Sequence, residues 1–394
     1  MVLQTRSNDE LLPRTEYDHE EHEIAEISPR ARRKLILKLD FFILPVIASV
    51  YFFASMGKSD LANAKIAGLS DELHLSPQDY SNASTILLIG YLIFQLPGTL
   101  LIKQIGPANQ FAGAMTIWGV ITVLTVKVRN LPGLLALRFF VGAAEAFVQG
   151  GLFYLSFWYE YRELSTRGAV FDTMSTIAGA FNGLIAYGIT QGLNGVNGWL
   201  AWRWIFLIEG ILPIAAAIYV WFLLPPSPEE VRFGFSAEEK RHLVQRSRNA
   251  HNSADSKLEL KKIPLVMKGL HFWLHCGIAC CGHFCTGSLS NFLPDILNGM
   301  VEDSVTAQYY TVIVYVCGCV GVILFSVVSD KTNARGYTIV ASAIGSIIGY
   351  SLLIGLTSPH ARFAAACIVA FSIYPLSVLQ LTWAAMGFIG YTRR

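Results

Sequence analysis

Ten long apolar stretches separated by short polar breaks divide the chain, with cores at residues 39–57, 82–102, 111–128, 132–157, 169–191, 203–224, 270–292, 307–328, 337–357 and 362–386. Each is close to the roughly 20 apolar residues that a helix needs to cross a bilayer, so the pattern predicts an all-α polytopic membrane protein with about 10 transmembrane helices. Pro97 and Pro213 fall inside the second and sixth stretches, where packed neighbours in a membrane bundle tolerate a missing N–H. Residues 1–30 are polar and mostly acidic and hold no apolar signal-peptide core, so the first span is expected to act as its own insertion signal. The longest internal break, 225–265, begins PPSPEE, continues as a charged SAEEKRHLVQRSR that reads as a surface helix, and ends KLELKK. The expected organisation is a cytosolic tail at 1–34, a six-helix bundle at 35–224, a cytosolic linker at 225–265 and a four-helix bundle at 266–394.

Composition agrees with that class: 53% of residues are hydrophobic and 15% charged. A net charge of +2 gives no indication of nucleic-acid binding. Of the 30 Lys and Arg residues, 23 fall on the side holding the N-terminus, six on the other and one inside the membrane. Basic loops stay inside, so both termini are expected in the cytosol, with the plasma membrane as the expected location. The seven cysteines all lie between Cys276 and Cys367 on apolar stretches, where they read as small packing residues and not as an extracellular disulfide framework. No nucleophile–base pair, phosphate loop or closed metal set appears, so neither an enzyme nor a cofactor is expected.

The fourth stretch, NLPGLLALRFFVGAAEAFVQGGLFYLSFW at 130–158, places Arg138 and Glu145 at membrane depth. Seven residues are nearly two helical turns, so both face one side, about 10 Å apart along the axis. Lipid cannot solvate such charges, so the face is expected to line a transport path, with a structural ion pair as the alternative. In the sixth stretch Arg203, between Trp202 and Trp204, reads as an interfacial anchor, and Glu209 points elsewhere, toward a partner on another helix. The seventh carries His271, His275, Cys276, Cys280, Cys281, His283 and Cys285. Only Cys276, Cys280 and His283 fall within about 60° of one another on a helical wheel, and one helix cannot close a four-ligand site; polar packing or cavity lining by His275 or His283 is expected instead of metal binding.

Several motifs carry a resemblance in order along the chain: SDLANAKIAGL at 59–69, LRFFVGAAEA at 137–146, WRWIFLIEG at 202–210, LPPSPEE at 224–230, SDKTNARG at 329–336 and the terminal GYTRR. On these the chain resembles the major facilitator superfamily, specifically the fungal allantoate and nicotinic acid permeases of its anion:cation symporter family. The resemblance implies the major facilitator fold and proton-coupled uptake of a small organic anion by alternating access, with substrate anion, protons and the lipid bilayer as partners. It implies substrate binding by Lys58 and Arg138, beside which His275 of the seventh stretch is expected as a cavity-lining substrate contact, and proton coupling by Glu145; loop charges including Arg162, Arg167, Asp330 and Arg335 match places where the superfamily latches the cytosolic side, and could equally be solvated topology signals. Where the family has an Asp-Arg pair at the first helix, this chain has Gly57 and Lys58; Asp60, about 200° around a helix from Lys58, is not expected to replace the missing acid. The missing acid leaves open a transport-inactive sensor or accessory protein, and Lys58 could instead snorkel to the interface. The family's twelve spans against ten here imply a C-terminal bundle two helices short. The tenth span ends in Met386 and Gly387 where the family has paired asparagines.

Overall fold

The computed structural model describes residues 28–387 except 160, 232–233, 252–267, 301–303 and 333, so the acidic tail, the KLELKK stretch and the terminal GYTRR lie outside the described residues. Among the described residues, twelve principal helices carry the chain. They are α1 Pro29–Phe42, α2 Leu44–Ala64, α3 Pro77–Ile105, α4 Pro107–Thr125, α5 Leu131–Glu145, α6 Tyr161–Gly192, α7 Ala201–Leu223, α8 Ala237–His251, α9 Leu270–Asn298, α10 Ser304–Thr332, α11 Arg335–Gly355 and α12 Pro359–Gly387. Eight of the ten expected spans fall on single helices, the first runs from the end of α1 into α2, and α8 is the linker helix. Among the described residues, seven helical stretches are long and apolar enough to cross a membrane by length and composition alone: Pro29–Glu72, Pro77–Ile102, Leu131–Leu155, Ala201–Leu223, Thr306–Ser329, Arg335–Gly355 and Pro359–Gln380. The fourth expected span departs from a single helix, because α5 ends at Glu145, a 3₁₀ turn follows over Ala146–Val148, and a short helix resumes at Gly151–Leu155.

Local chemistry sets the helix starts. Ser76 Oγ accepts from the Asp79 amide at 3.2 Å and Asp79 Oδ2 accepts from the Ser76 amide at 3.1 Å, a reciprocal cap that opens α3 just before Pro77. Asn130 caps α5 in the same way through the Gly133 amide at 2.9 Å. Between α2 and α3 the chain turns through a π-helical segment, Lys65–Leu69, in which Gly68 has φ 99°, a backbone conformation that side chains other than glycine resist.

Helices α1 to α7 share two apolar cores. One, around Ile47, Phe111, Trp118, Tyr154 and Leu243, lies toward α1 and the linker helix; the other, around Leu69, Leu134, Trp202 and Phe206, lies at the far end. The last four helices pack around Leu293, Val314, Ala366 and Ile373, joined by Ala180 from α6. Helix α8 docks on the first group by burying Leu243 and by ion pairs from Lys38 to Glu239 at 2.7 Å and from Arg246 to Glu163 at 2.5 Å.

Backbones also meet closely where α4 crosses α7. A Cβ at Gly119 would stand 2.7 Å from the Gly210 carbonyl, and one at Gly210 would stand 2.8 Å from the Gly119 carbonyl, so the two glycines set how near α7 lies. At the end remote from α8, Lys65 Nζ reaches both oxygens of Asp295 on α9 at 2.8 Å and sits 4.6 Å from the Tyr80 ring centre, while the Tyr80 hydroxyl donates to the Asn291 carbonyl at 3.3 Å.

Two outcomes follow from this packing. Gly210→Leu is expected to destabilise the detergent-purified protein by about 1–3 kcal/mol through forced separation of α4 and α7. Gly188→Ala, where no atom lies within 4 Å of the added Cβ, is expected to be neutral or mildly stabilising; paired thermal unfolding curves separate the two. For the partly exposed Lys65–Asp295 contact, a double-mutant cycle with Lys65→Glu and Asp295→Lys should return a coupling of about 0.2–1 kcal/mol, with the swapped pair recovering most of what each single reversal loses.

Candidate functional site: a buried charge cluster on α2, α5 and α7

Helix α5 is fixed before its charges are placed. A Cβ at Gly142 would stand 2.0 Å from the Leu87 carbonyl of α3, and one at Gly90 of α3 would stand 2.3 Å from the Phe139 carbonyl. The glycines thus let α3 and α5 touch backbone to backbone, and the Asn130 cap fixes the register. The face left to the interior carries Arg138 and Glu145, 5% and 3% exposed. The expectation that both residues share one buried face describes the geometry found.

Arg138 lies with its guanidinium carbon 5.5 Å from the Phe206 ring centre of α7. Asp60, Glu145, Tyr80 and Glu209 are its electrostatic neighbours, yet its Nε and Nη2 are buried with no hydrogen-bond partner among the described residues. A guanidinium presents five N–H donors in a planar fork, a shape that suits a carboxylate.

Glu145 rests against the backbone of α2. A Cβ at Gly57 would stand 2.5 Å from Glu145 Oε1, so any side chain at 57 displaces this carboxyl. Gly57, which the sequence reading treated as a missing acid, is the space that Glu145 fills. Lys58 faces the same region, with its Nζ 5.5 Å from the Tyr51 ring centre and its charge felt at Glu145.

Asp60 is also part of this cluster. It is 4% exposed, and Asn182 Nδ2 of α6 donates to its Oδ1, to Ser59 Oγ and to the Met56 carbonyl, each at 2.8 Å. Glu209 on α7 is its electrostatic neighbour, 5% exposed, with both carboxyl oxygens buried and without a hydrogen-bond partner among the described residues. Asp60 does point away from Lys58 around the helix, but α6 and α7 lie on that side and Arg138 reaches it. The charges that act on Glu209, Asp60 and Arg138, are on other helices. The signal that could have found both acids was the one used for Arg138, an ionisable group within a membrane-length apolar run.

The other expected site residues lie elsewhere. His275 packs edge-on against Trp383 of α12, ring centres 4.9 Å apart, and its carbonyl accepts from Gln380 at 3.4 Å, so it belongs to the contact between α9 and α12. Cys276, Cys280 and Cys281 are exposed, and among the described residues no three His, Cys, Asp or Glu side chains converge as metal ligands would. Arg167 binds Asp40 of α1 through Nε at 3.0 Å and Nη2 at 2.6 Å. Arg335 opens α11, whereas the side chains of Arg162 and Asp330 lie outside the described residues. Arg203 pairs with Glu72 at 2.5 Å and lies 4.5 Å from the Trp202 ring centre, an arrangement that ties α7 to the turn after α2.

Comparisons with known proteins give this architecture its context. A fungal MFS transporter, prlL, is 36% identical over 340 residues, covering 82% of this chain and 67% of its own. The high-affinity nicotinic acid transporter of Saccharomyces cerevisiae is 27% identical over 366 residues, covering 92% of this chain and 67% of its own. Among solved structures, a bacterial homologue of the human lysosomal transporter Spinster superposes with a TM-score of 0.65 at 16% identity, covering 87% of this chain and 74% of that one. The xylose transporter XylE of E. coli does so with a TM-score of 0.65 at 13% identity, covering 89% and 84%. The sequence profile of the Major Facilitator Superfamily matches residues 47–389. The chain therefore belongs to the Major Facilitator Superfamily and is an all-α, multi-pass membrane transporter rather than an enzyme.

Proposed function

We propose that this transporter takes up a small organic anion together with protons by alternating access. The observation that carries this reading is the Arg138 guanidinium, buried to 5% exposure with Nε and Nη2 unfilled and with Glu145 on the same helix face. Leaving two donors of a buried cation unmade is costly unless a ligand completes them, and a carboxylate fits the fork. Lys58 adds a second positive charge on the α2 side, as a compact ammonium without bidentate geometry. Glu145 is the proton carrier in this scheme: it lies between the Arg138 face of α5 and the α2 backbone, so relative movement of α2 and α5 changes its surroundings. Nicotinic acid, named for the yeast relative, and ureido acids such as allantoate are the substrate class to test first.

The basic end of the molecule, where α1, α6 and α8 exchange ion pairs, is assigned to the cytosol and the membrane to the plasma membrane. Lys65 and Asp295 then close the outer end, so the conformation described is sealed to the outside. Importing a monoanion against an inside-negative potential costs about 2.3 kcal/mol per 100 mV, which one co-transported proton cancels and a second exceeds.

Two measurements test the proposal in a permease-deficient fungal host and in the purified protein. Arg138→Gln should weaken binding of nicotinate about tenfold or more while leaving nicotinamide within about twofold, as expected for loss of a charged hydrogen bond. Equal losses for acid and amide in a correctly inserted variant would rule out the anion site. Glu145→Gln should abolish pH-driven accumulation of labelled organic acid and retain exchange across the membrane; wild-type accumulation by this variant would remove Glu145 from the proton path.

A further inference from the structure

The scheme above gives no part to the middle of α6, yet α6 sends one polar side chain into the charge cluster. Asn182 is 0% exposed, and its Nδ2 lies 2.8 Å from each of three acceptors on α2, the Met56 carbonyl, Ser59 Oγ and Asp60 Oδ1. Those three groups bracket Gly57 and Lys58, so one amide of α6 grips the turn of α2 against which Glu145 rests. An amide nitrogen carries two hydrogens and cannot serve three acceptors at once. Ser59 Oγ donates to the Met56 carbonyl at 3.3 Å, so that carbonyl is served without it. On the other side of the same amide, Asn182 Oδ1 is buried with no hydrogen-bond partner among the described residues.

How the two hydrogens are divided depends on the charge of Asp60. As a carboxylate it is the strongest of the three acceptors, because a hydrogen bond to an ionised group is about twice as strong as one between neutral groups. As a neutral acid it loses that advantage, and a hydrogen on its Oδ1 would meet the amide N–H head-on. The amide can then turn about its last torsion, which is broad and roughly two-fold, and offer its unused oxygen. Either way, the bond from Asn182 that fastens α6 to this turn is weakened or exchanged. The charged groups that act around Asp60 are Arg138 and Glu145 from α5 and Glu209 from α7, and Lys58 of α2 acts on Glu145. Helix α4 has no ionisable residue, and Asp40 of α1 and Asp295 of α9 are held by Arg167 and Lys65 at opposite ends of the molecule.

We propose that Asn182 is a positioning residue for transport that acts through Asp60, clamping α6 to the Gly57–Lys58 turn of α2 while Asp60 is ionised and easing when Asp60 takes up a proton. Asp60 is then a proton-responsive group separate from Glu145. A proton arriving there frees the turn that carries Lys58 and supports Glu145, so the site and the helix that bears it respond together. The response of the amide stands on its hydrogen bonds; its part in transport rests on the proton-coupled reading above.

The test is nuclear magnetic resonance of the full-length protein, isotope-labelled at asparagine nitrogen, in lipid nanodiscs without substrate. The side-chain amide signal missing from Asn182→Leu belongs to Asn182. In the wild type this signal is expected to shift between acidic and alkaline pH, and in Asp60→Ser to stay fixed across the same range. A signal that does not move in the wild type, or that moves equally in Asp60→Ser, overturns the clamp. Where Asn182→Leu does not insert, Asn63→Leu, which removes the neighbouring asparagine of α2, takes its place: a pH-dependent amide signal that persists in Asn63→Leu and is fixed in Asp60→Ser supports the clamp, and the lack of one overturns it. Uptake of labelled nicotinate in the fungal host gives the second readout. Asn182→Leu should lower the maximal rate about tenfold while the half-saturating concentration changes less than about threefold, as expected for a residue that acts on the change of access more than on binding. A wild-type maximal rate in that variant overturns the part in transport. If the wild type carries no organic acid yet the amide signal follows Asp60, the clamp is retained and the anion-uptake reading alone fails.

Discussion

A guanidinium does not give up its charge at any pH a cell reaches, so burying one obliges the surrounding protein to answer it. Arg138 is 5% exposed within a helix bundle, and removing such an ion from water carries a penalty of several kcal/mol even after relaxation. Asp60 from α2, Glu145 from α5 and Glu209 from α7 are its electrostatic neighbours; Asp60 is held by Asn182, and Glu145 rests against the bare backbone at Gly57. The close approaches at Gly142, Gly90, Gly119 and Gly210 bring the helices near enough for these contacts. The small residues and the charges are parts of one solution, since longer side chains at the crossings would move the acids away from the cation.

Helix α2 has an unusual share in this arrangement. It contributes Gly57, Lys58 and Asp60 to the cluster, and the π segment that follows it carries Lys65 to Asp295 on α9. The buried charges and the contact that ties α2 to the later helices are therefore on one continuous piece of chain. A change of charge at the cluster bears on the same element that holds the remote end shut, which is the physical requirement for coupling binding to a change of access.

Much of this was legible in the sequence, for identifiable reasons. Span positions follow from apolar length, and the shared face of Arg138 and Glu145 from the helical repeat, because both are properties of one helix. The break after Glu145 was not legible, since the apolar run continues through Val148 and Leu155 and only the backbone records the 3₁₀ turn. Asp60 was set aside on its angle from Lys58; the angle was right, but which neighbour stands at that angle is fixed by how α6 and α7 pack and not by α2 alone. Gly57 read as an absence when compared with an acid expected there. Its meaning depends on Glu145, 88 positions later in the chain, and no local pattern carries that.

Gly57 and Glu145 also constrain how this transporter can change. Because Oε1 occupies the volume that a Cβ at 57 would need, an acid cannot be added at 57 while a glutamate with this side-chain conformation remains at 145. Oε1 is the far end of a flexible side chain, so a side chain at 57 is accommodated only where Glu145 turns its carboxyl to another place, and what stands at 57 therefore decides where the acid of α5 rests beside the cation.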